Sequence, residues 1–395
     1  MPAIDLLDPA SFSRGQPHEQ FRWLRENDPV HRHGEADGPG FWALTRHRDV
    51  KEVGRDQGRF SSEPTIMITD APLTIPDHQM FLMLDPPRHT EQRKLISSRF
   101  LPRAVRAMQP RVSELAARIV SGVASRGECD LVEDVAGLMP SYVVAELLGL
   151  PHEDGVALYG LTEAIHAAPD DRDPGAGARA VSEMFMYAHK VWQEKRAHPS
   201  EDLSSLIITG SFGGREVDEI DFALYFLLLV DAGGDTTRNL VAGGMNALFE
   251  HPGERARLLA DLDGLLPTAI EEMLRWVSPV VYMRRTATTD TEIGGVPIGA
   301  GDKVVMYYGA ANRDGAVFPD PDRFDVSRRP NDHVAFGGGG PHFCLGAHLA
   351  RLEIEGLLRE ILVRLPDMEP TGPVEWLPSN FISGPKHLPV RFTPA

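Results

Sequence analysis

The stretch His333-Val334-Ala335-Phe336-Gly337-Gly338-Gly339-Gly340-Pro341-His342-Phe343-Cys344-Leu345-Gly346 constrains this chain more than any other. Four consecutive glycines carry no side chains and reach backbone angles closed to other residues, so the main chain here is able to lie tightly against something flat. One cysteine follows. Beyond it, Ala347 to Leu365 places apolar residues at helical spacing, and Pro366 closes the pattern. Cys344 therefore stands just before a helix start, where unpaired N–H groups and the helix dipole favour a thiolate. A lone cysteine is more often a small buried apolar residue. Cys129, with no glycine loop and no helix after it, reads that way. No Cys-x-x-Cys occurs, so the spacing gives a zinc site no support.

A thiolate aimed at a flat object meets the needs of an axial haem ligand. The stretch resembles the haem-binding loop of the cytochrome P450 superfamily, Phe-Gly-x-Gly-x-His/Arg-x-Cys-x-Gly. Gly340, His342, Cys344 and Gly346 match it in register, while Phe336 lies eight residues before the cysteine instead of the family's seven. The resemblance implies haem b (iron protoporphyrin IX) as cofactor, held at its iron by Cys344, with dioxygen as cosubstrate.

Three further features accompany the loop. Asp218 to Phe249 reads as one long helix whose Phe226-Leu227-Leu228-Leu229-Val230 segment is apolar all round, as in a helix buried at the centre of a domain. Asp231-Ala232-Gly233-Gly234-Asp235-Thr236-Thr237 follows, although two mid-helix glycines cost about 1 kcal/mol each relative to alanine. A packing notch for another helix explains the glycines, but not an Asp-Thr pair beside them, because burying a carboxylate is expensive. Ala232 to Thr236 resembles the superfamily's Ala/Gly-Gly-x-Asp/Glu-Thr motif, which implies a dioxygen groove at Ala232 and Gly233 with Asp235 and Thr236 delivering protons. Glu272 and Arg275 share a helical face at i, i+3. They resemble the family's structural Glu-x-x-Arg pair, completed by a downstream arginine, here Arg323. Resemblance also implies His89, Arg93, Arg285, His333 and His342 as partners of the haem carboxylates. Guanidinium forks suit carboxylates well, although each of these residues alone is more often a solvated surface charge.

The other elements read as mainly α with small β-sheets. A helix is expected at His18–Asn27, strands at 30–32 and 40–45, and a helix at 49–56. An irregular stretch runs from Phe60 to Met80, with Pro64, Pro72 and Pro76. Helices dominate from Thr90 to about Pro199, each of Pro102, Pro110, Pro140 and Pro151 near a helix start, with a breaker-rich turn at Pro169–Gly175. Pro267 to Trp276 is a shorter helix. Residues 286–305 alternate as strands around turns at Gly294-Gly295 and Gly299–Gly301. The resemblance runs from about residue 18 to the end, which implies one intertwined domain over 1–395.

Two cysteines rule out a disulfide framework and suit a reducing compartment. Met1 to Phe12 has neither a long apolar run nor a basic leader, so a cytoplasmic protein without a membrane anchor is expected. A formal charge of −17 argues against nucleic acid and anionic membrane as partners.

As the resemblance implies, the reaction inserts one atom of dioxygen into a hydrophobic substrate and releases the other as water. No flavin or iron–sulfur motif is present, so a separate electron source is expected, and the resemblance implies a small ferredoxin with its reductase. The docking face expected for it carries Arg99, Arg103, Arg106, His348 and Arg351. A monomer is expected. Two other classes rank behind: a peroxygenase, which tends to lose the acid–alcohol pair, and a non-enzymatic haem sensor, which wants an effector domain.

Expected pocket positions are Ile66, Met67, Ile68, Phe81, Leu228, Val280, Val281, Tyr282, Phe381 and Ile382, each equally readable as core. The overall texture resembles the actinobacterial members that oxidise steroid side chains and branched fatty chains. Asp231 fits such a pocket poorly. Either it pairs with a neighbouring helix, or it contacts an amine or hydroxyl of a natural product on which the chain would act as a tailoring hydroxylase.

Overall fold

The computed structural model describes residues 4–36, 38–70, 75, 77–166, 173 and 175–395. Pro72, Pro76 and most of the Pro169–Gly175 turn lie outside them. The central element is a helix over Glu219–Glu250. Asp218 caps it reciprocally with Asp221: the Asp221 N–H donates to the Asp218 carboxylate at 2.9 Å, and the Asp218 N–H donates to that of Asp221 at 3.1 Å. This satisfies donors that a helix start leaves open. From Phe222 to Leu228 every side chain is buried, because helices Leu138–Leu148, His152–His166, Ala176–Ala197, Leu262–Val277 and Ala347–Arg364 all pack on this one.

The glycines of the central helix make that packing close. A Cβ on Gly233 would come within 2.6 Å of Val144 Cγ2, and one on Gly234 within 3.1 Å of the Tyr159 ring. The packing-notch reading therefore holds for both, alongside any role of the Asp-Thr pair.

Prolines 102 and 110 stand in the first turns of helices Pro102–Ala107 and Gln109–Ala124, Pro140 is the third residue of Leu138–Leu148, and Pro151 immediately precedes His152–His166. Two helix starts differ from expectation. The helix expected at Pro267 begins at Leu262, where the Asp261 carboxylate accepts the Gly264 N–H at 3.1 Å, and Pro267 is carried inside it. The helix expected at 49–56 spans His47–Arg55, its first N–H taken by the Asp314 carboxylate at 3.0 Å.

Beside the helices lies a five-stranded sheet in the order Val30–Glu35, Gly38–Leu44, Lys303–Tyr307, Tyr282–Ala287, Phe60–Ser61. Lys303–Tyr307 runs parallel to Gly38–Leu44 and antiparallel to Tyr282–Ala287, with Val304 opposite Arg285. Successive strand residues face opposite sides. Met283 and Arg285 thus face the central cavity, while Tyr282 and Arg284 face away.

Candidate active site

The cysteine loop is closed by one main-chain bond, from the Cys344 N–H to the Phe336 carbonyl at 3.0 Å, and by two tight turns within it. Gly337, Gly339 and Gly340 all take positive φ, 96°, 102° and 77°, which side chains disfavour. The flat surface met by most of this run is protein. A Cβ on Gly338 would lie 2.8 Å from the Val50 carbonyl, and one on Gly340 2.8 Å from that of Gly54, so the glycines press on the helix His47–Arg55. Only Gly337 of the four lines the cavity.

Phe336 lines the same cavity as Cys344, with the Arg351 guanidinium 4.5 Å above its ring. Arg351 is held by Glu271 at 2.6 and 2.8 Å. The same carboxylate binds His333 Nε2 at 2.9 Å. Burial alone would raise the Glu271 carboxyl, but Arg351 and His333 outweigh it and bring it down to about 2. His333 is thus turned onto Glu271 and does not line the cavity, contrary to the expectation that it meets a haem carboxylate.

Cys344 opens onto a cavity between the loop and the central helix. Burial pushes its thiol up, against the Gly346 N–H and the Arg93 and Arg351 guanidinium groups. The helix-start effect expected from sequence is present at Gly346 but is not the larger one. From the central helix, Leu228, Leu229, Ala232, Gly233, Thr236 and Thr237 reach the cavity. The Thr236 hydroxyl donates to the Ala232 carbonyl at 3.0 Å. Asp235 is buried and off the lining, directed towards Arg238, whose Nη2 lies 4.0 Å from its Oδ1.

At the rim a cationic group assembles. Arg93, Arg285 and His342 line the cavity, and the His89 ring lies 4.0 Å from that of His342. Arg93 donates to the Phe343 carbonyl at 2.6 Å, and Arg285 to the Arg284 carbonyl at 2.8 Å. Among the described residues neither ring nitrogen of His89 has a hydrogen-bond partner, nor does Arg285 Nε, and all three are buried. Burial, then Arg93 and Arg285, force His89 down to about 4; burial, then Arg285, His89 and Arg93, take His342 to about 2. Buried donors left open beside two guanidinium groups fit an anion. Haem, whose carboxylates would meet this rim while Cys344 meets its iron, is such a group, and Gly346 stands at the helix start just beyond the thiol.

The buried trio is real with one member exchanged. Arg275 donates to Glu272 at 2.7 and 2.8 Å, and both side chains are fully buried. The second arginine on Glu272 is Arg328, at 3.1 Å to both oxygens, whereas Arg323 offers only its main-chain carbonyl, to Arg275 at 3.1 Å and to Arg328 at 2.8 Å.

Of the expected pocket positions, Phe81, Leu228 and Val280 line the cavity. Ile66, Ile68, Val281, Tyr282, Phe381 and Ile382 instead form a sheet-side core with Phe21, Phe41 and Tyr307, and Met67 packs against it. The Ile66 carbonyl accepts the Arg284 N–H at 2.9 Å, which ties that loop to the sheet. Asp231 is about 100° around the helix from Ala232 and does not line the cavity. Sequence reading missed Leu82, Met283, Tyr308 and Glu353, all in the lining. Glu353 could have been found: it falls on the apolar stripe of its helix, four residues after Leu349 and before Leu357. Burial takes it up to about 8, against a hydrogen bond with Thr237.

A family model for cytochrome P450 matches residues 179–370. The chain is 38% identical, over 91% of its length, to a methyl-branched lipid omega-hydroxylase of Mycobacterium tuberculosis, of which it covers 86%. It is 36% identical, over 99% of its length, to a steroid C26-monooxygenase of Rhodococcus jostii, covering 85% of that protein. Its structure matches that of Mycobacterium marinum cytochrome P450 CYP268A2 in complex with pseudoionone with a TM-score of 0.94, at 37% identity and 99% coverage of both chains. A helical fold around a cysteine loop, with an acid–alcohol pair on the facing helix, is that of a haem-thiolate oxygenase. The chain belongs to the cytochrome P450 family, among its actinobacterial members, and is a monooxygenase.

Proposed function

We propose that this chain uses haem b and dioxygen to hydroxylate an apolar substrate, with a branched fatty chain or a steroid side chain as its class. The observation that carries this is the cavity wall: Phe81, Leu82, Leu228, Leu229, Val280 and Met283 are all apolar, while Arg93, Arg285 and His342 gather at the rim. Apolar walls bind apolar chains and exclude water. The named activities of the two relatives support the same class.

Haem, when bound, supplies dioxygen activation, with Cys344 as the electron-donating ligand. The protein's own residues do the remainder. The loop bond from Cys344 to Phe336 positions the thiol, and His89, Arg93, Arg285 and His342 would hold the haem carboxylates. Thr236 presents its hydroxyl to the cavity, positioned by the Ala232 carbonyl. Asp235 supplies protons to it from the side away from the cavity. Glu353, kept protonated by burial and bonded to Thr237, is a second acid on the same wall.

The electron donor is a ferredoxin served by its reductase. It docks beside the cysteine loop, where Arg99, Arg103, Arg106 and His348 are exposed together with Leu101 and Phe343. Arg351 drops out of that face because Glu271 holds it. The chain works as one domain and as a cytoplasmic monomer. No described helix is long and apolar enough to cross a membrane. Reversing the charge of Arg103 and Arg106 raises the ferredoxin KM and leaves substrate affinity unchanged. Unaltered ferredoxin-driven turnover in that variant contradicts this docking face.

Titrating the ferric protein with a steroid ketone, a branched fatty acid and a basic amphiphile, while following the haem Soret band, tests the substrate class. A low- to high-spin shift with the first or second, the same in Asp231→Asn, is the expected result. Tight binding of the amine alone, lost in Asp231→Asn, contradicts it and assigns the chain to natural-product tailoring.

A further inference from the structure

A second recess, of about 530 Å³, lies between the helix His18–Asn27, the start of the helix His47–Arg55 and the turn after Ala311. Five arginines line it: Arg22 and Arg25 from the first helix, Arg46 and Arg48 from the start of the second, and Arg313 from the turn. None of them lines the haem cavity. Three carboxylates share the recess, Glu26, Asp314 and Asp322, so the arginines are in excess on a chain of net charge −17. Two of the three are already engaged. Asp314 accepts the His47 and Ala316 N–H groups, both at 3.0 Å, and Asp322 accepts Arg22 at 2.7 Å and Arg313 at 3.3 Å. Glu26 is exposed.

The protein leaves much of this cationic group open. Arg25 and Arg313 are its buried members, 8% and 6% exposed. Among the described residues Arg313 Nε is buried with no hydrogen-bond partner, and Arg25 bonds through Nη1 alone, to the Ala310 carbonyl at 3.0 Å. The half-buried Arg46 side chain makes neither hydrogen bond nor ion pair among them. Arg313 is held in place by the Trp276 ring, whose centre lies 3.8 Å from its guanidinium. Burial, then Arg275, push Arg313 down to about 10; Asp322 opposes them and Arg25 adds to them. Burial likewise lowers Arg25, with Asp314, Asp322 and Glu26 against it and Arg22 for it. Pairing within the fold explains Arg22 and one arm of Arg313. It does not explain gathering Arg25 and Arg46 beside them, because buried open donors and facing like charges both cost stability. A bound anion removes both costs.

We propose that this recess binds the phosphate group of a soluble, phosphorylated small molecule, with Arg25, Arg46 and Arg313 donating to its oxygens and Arg22 and Arg48 at the mouth. Guanidinium forks match phosphate oxygens two at a time, and three chain segments supply them from different directions. The recess has room for more than a single anion, which leaves space for the body of the ligand. Such a ligand ties the three segments together and stabilises the folded chain by mass action. The site is separate from the haem cavity and stands whatever the substrate class.

The test uses the haem-loaded full chain, in which haem carboxylates already occupy the other cationic rim. Pyrophosphate and inorganic phosphate are titrated by calorimetry at constant ionic strength into wild type, Arg25→Gln, Arg46→Gln and the Arg103→Glu/Arg106→Glu variant. The same proteins are sedimented with phosphatidylcholine vesicles, with and without phosphatidic acid. Pyrophosphate binds wild type at one site with a dissociation constant of about 1 mM or below. Arg25→Gln and Arg46→Gln each weaken it at least about tenfold, while Arg103→Glu/Arg106→Glu keeps the wild-type affinity. Arg46→Gln decides the matter if Arg25→Gln folds poorly, since the Arg46 side chain holds nothing in the fold. Its unfolding midpoint without ligand matches wild type, and the rise that pyrophosphate gives wild type is lost. No saturable pyrophosphate binding, or an unchanged affinity in Arg46→Gln, overturns the proposal. Binding to phosphatidic acid vesicles alone overturns the soluble ligand and assigns the phosphate to a lipid.

Discussion

Arg328 Nε lies 3.1 Å from each carboxylate oxygen of Glu272, a side chain with no exposed surface, and shares it with Arg275. Glu272 also accepts the Asp325 N–H at 2.9 Å and Asn331 at 3.1 Å. One buried carboxylate thereby fastens the 320–331 segment, which leads into the cysteine loop, to the helix Leu262–Val277. Removing Arg328 strips a charged bond from a buried acceptor, so Arg328→Ala lowers stability by about 1.5–3 kcal/mol. Arg323→Ala, which leaves the carbonyl in place, stays within about 0.5 kcal/mol. Thermal unfolding at equal haem loading separates the two.

His89 and His342 make the apoprotein acid-sensitive. Their folded values, about 4 and about 2, lie below the ordinary 6.5, so the unfolded chain binds more protons between those limits. Stability from this source is present above pH 6.5 and is lost as pH falls towards 4 and below. An anion at the rim favours the protonated rings and shrinks the effect. Unfolding midpoints from pH 7 to 4.5 fall more steeply for the apoprotein than for the haem-loaded protein, and His89→Asn flattens the difference.

Glu353 acts in the opposite sense. Its folded value of about 8 exceeds the ordinary 4.5, so the folded protein holds the extra proton. The associated stability is full below pH 4.5 and is lost as pH rises to about 8. Glu353→Gln removes that slope and is the more stable protein at pH 8, by up to a few kcal/mol. Unfolding of both proteins across pH 5–9 checks this.

Gly233 is fixed by Val144. Alanine at 233 gains about 1 kcal/mol of helix propensity but meets Val144 Cγ2 at 2.6 Å, and overpacking of this kind costs about 1–3 kcal/mol. Gly233→Ala is therefore neutral to destabilising, and adding Val144→Ala restores stability. Further loss in the double variant contradicts the packing account.

The cysteine loop, the central helix and the Glu272–Arg275 pair were legible because each depends on residue type at fixed short spacing. The failures share a cause. Arg323 and Arg328 both lie beyond turns, and spacing along irregular chain does not fix which side chain points inward. His333 lies in irregular chain, and its partner Glu271, 62 residues earlier on the helix Leu262–Val277, was not visible from spacing. Tyr282 and Arg285 stand three apart in one strand and so face opposite sides, although both were expected at the cavity. Asp235 lies off the cavity lining, 4.0 Å from Arg238, and that neighbour was not legible, since a buried arginine has no signature in an apolar helix.

The central claim is that Cys344 would hold the iron of a haem bound in the cavity that Cys344 and Thr236 both line. The absorption spectrum of the carbon monoxide complex of the reduced protein tests it most directly, in wild type and in Cys344→His. The account predicts the long-wavelength Soret band of a thiolate ligand in wild type and its replacement by the shorter-wavelength band of an imidazole ligand in Cys344→His. A wild-type spectrum already of the imidazole kind, or one unchanged by the substitution, would contradict it.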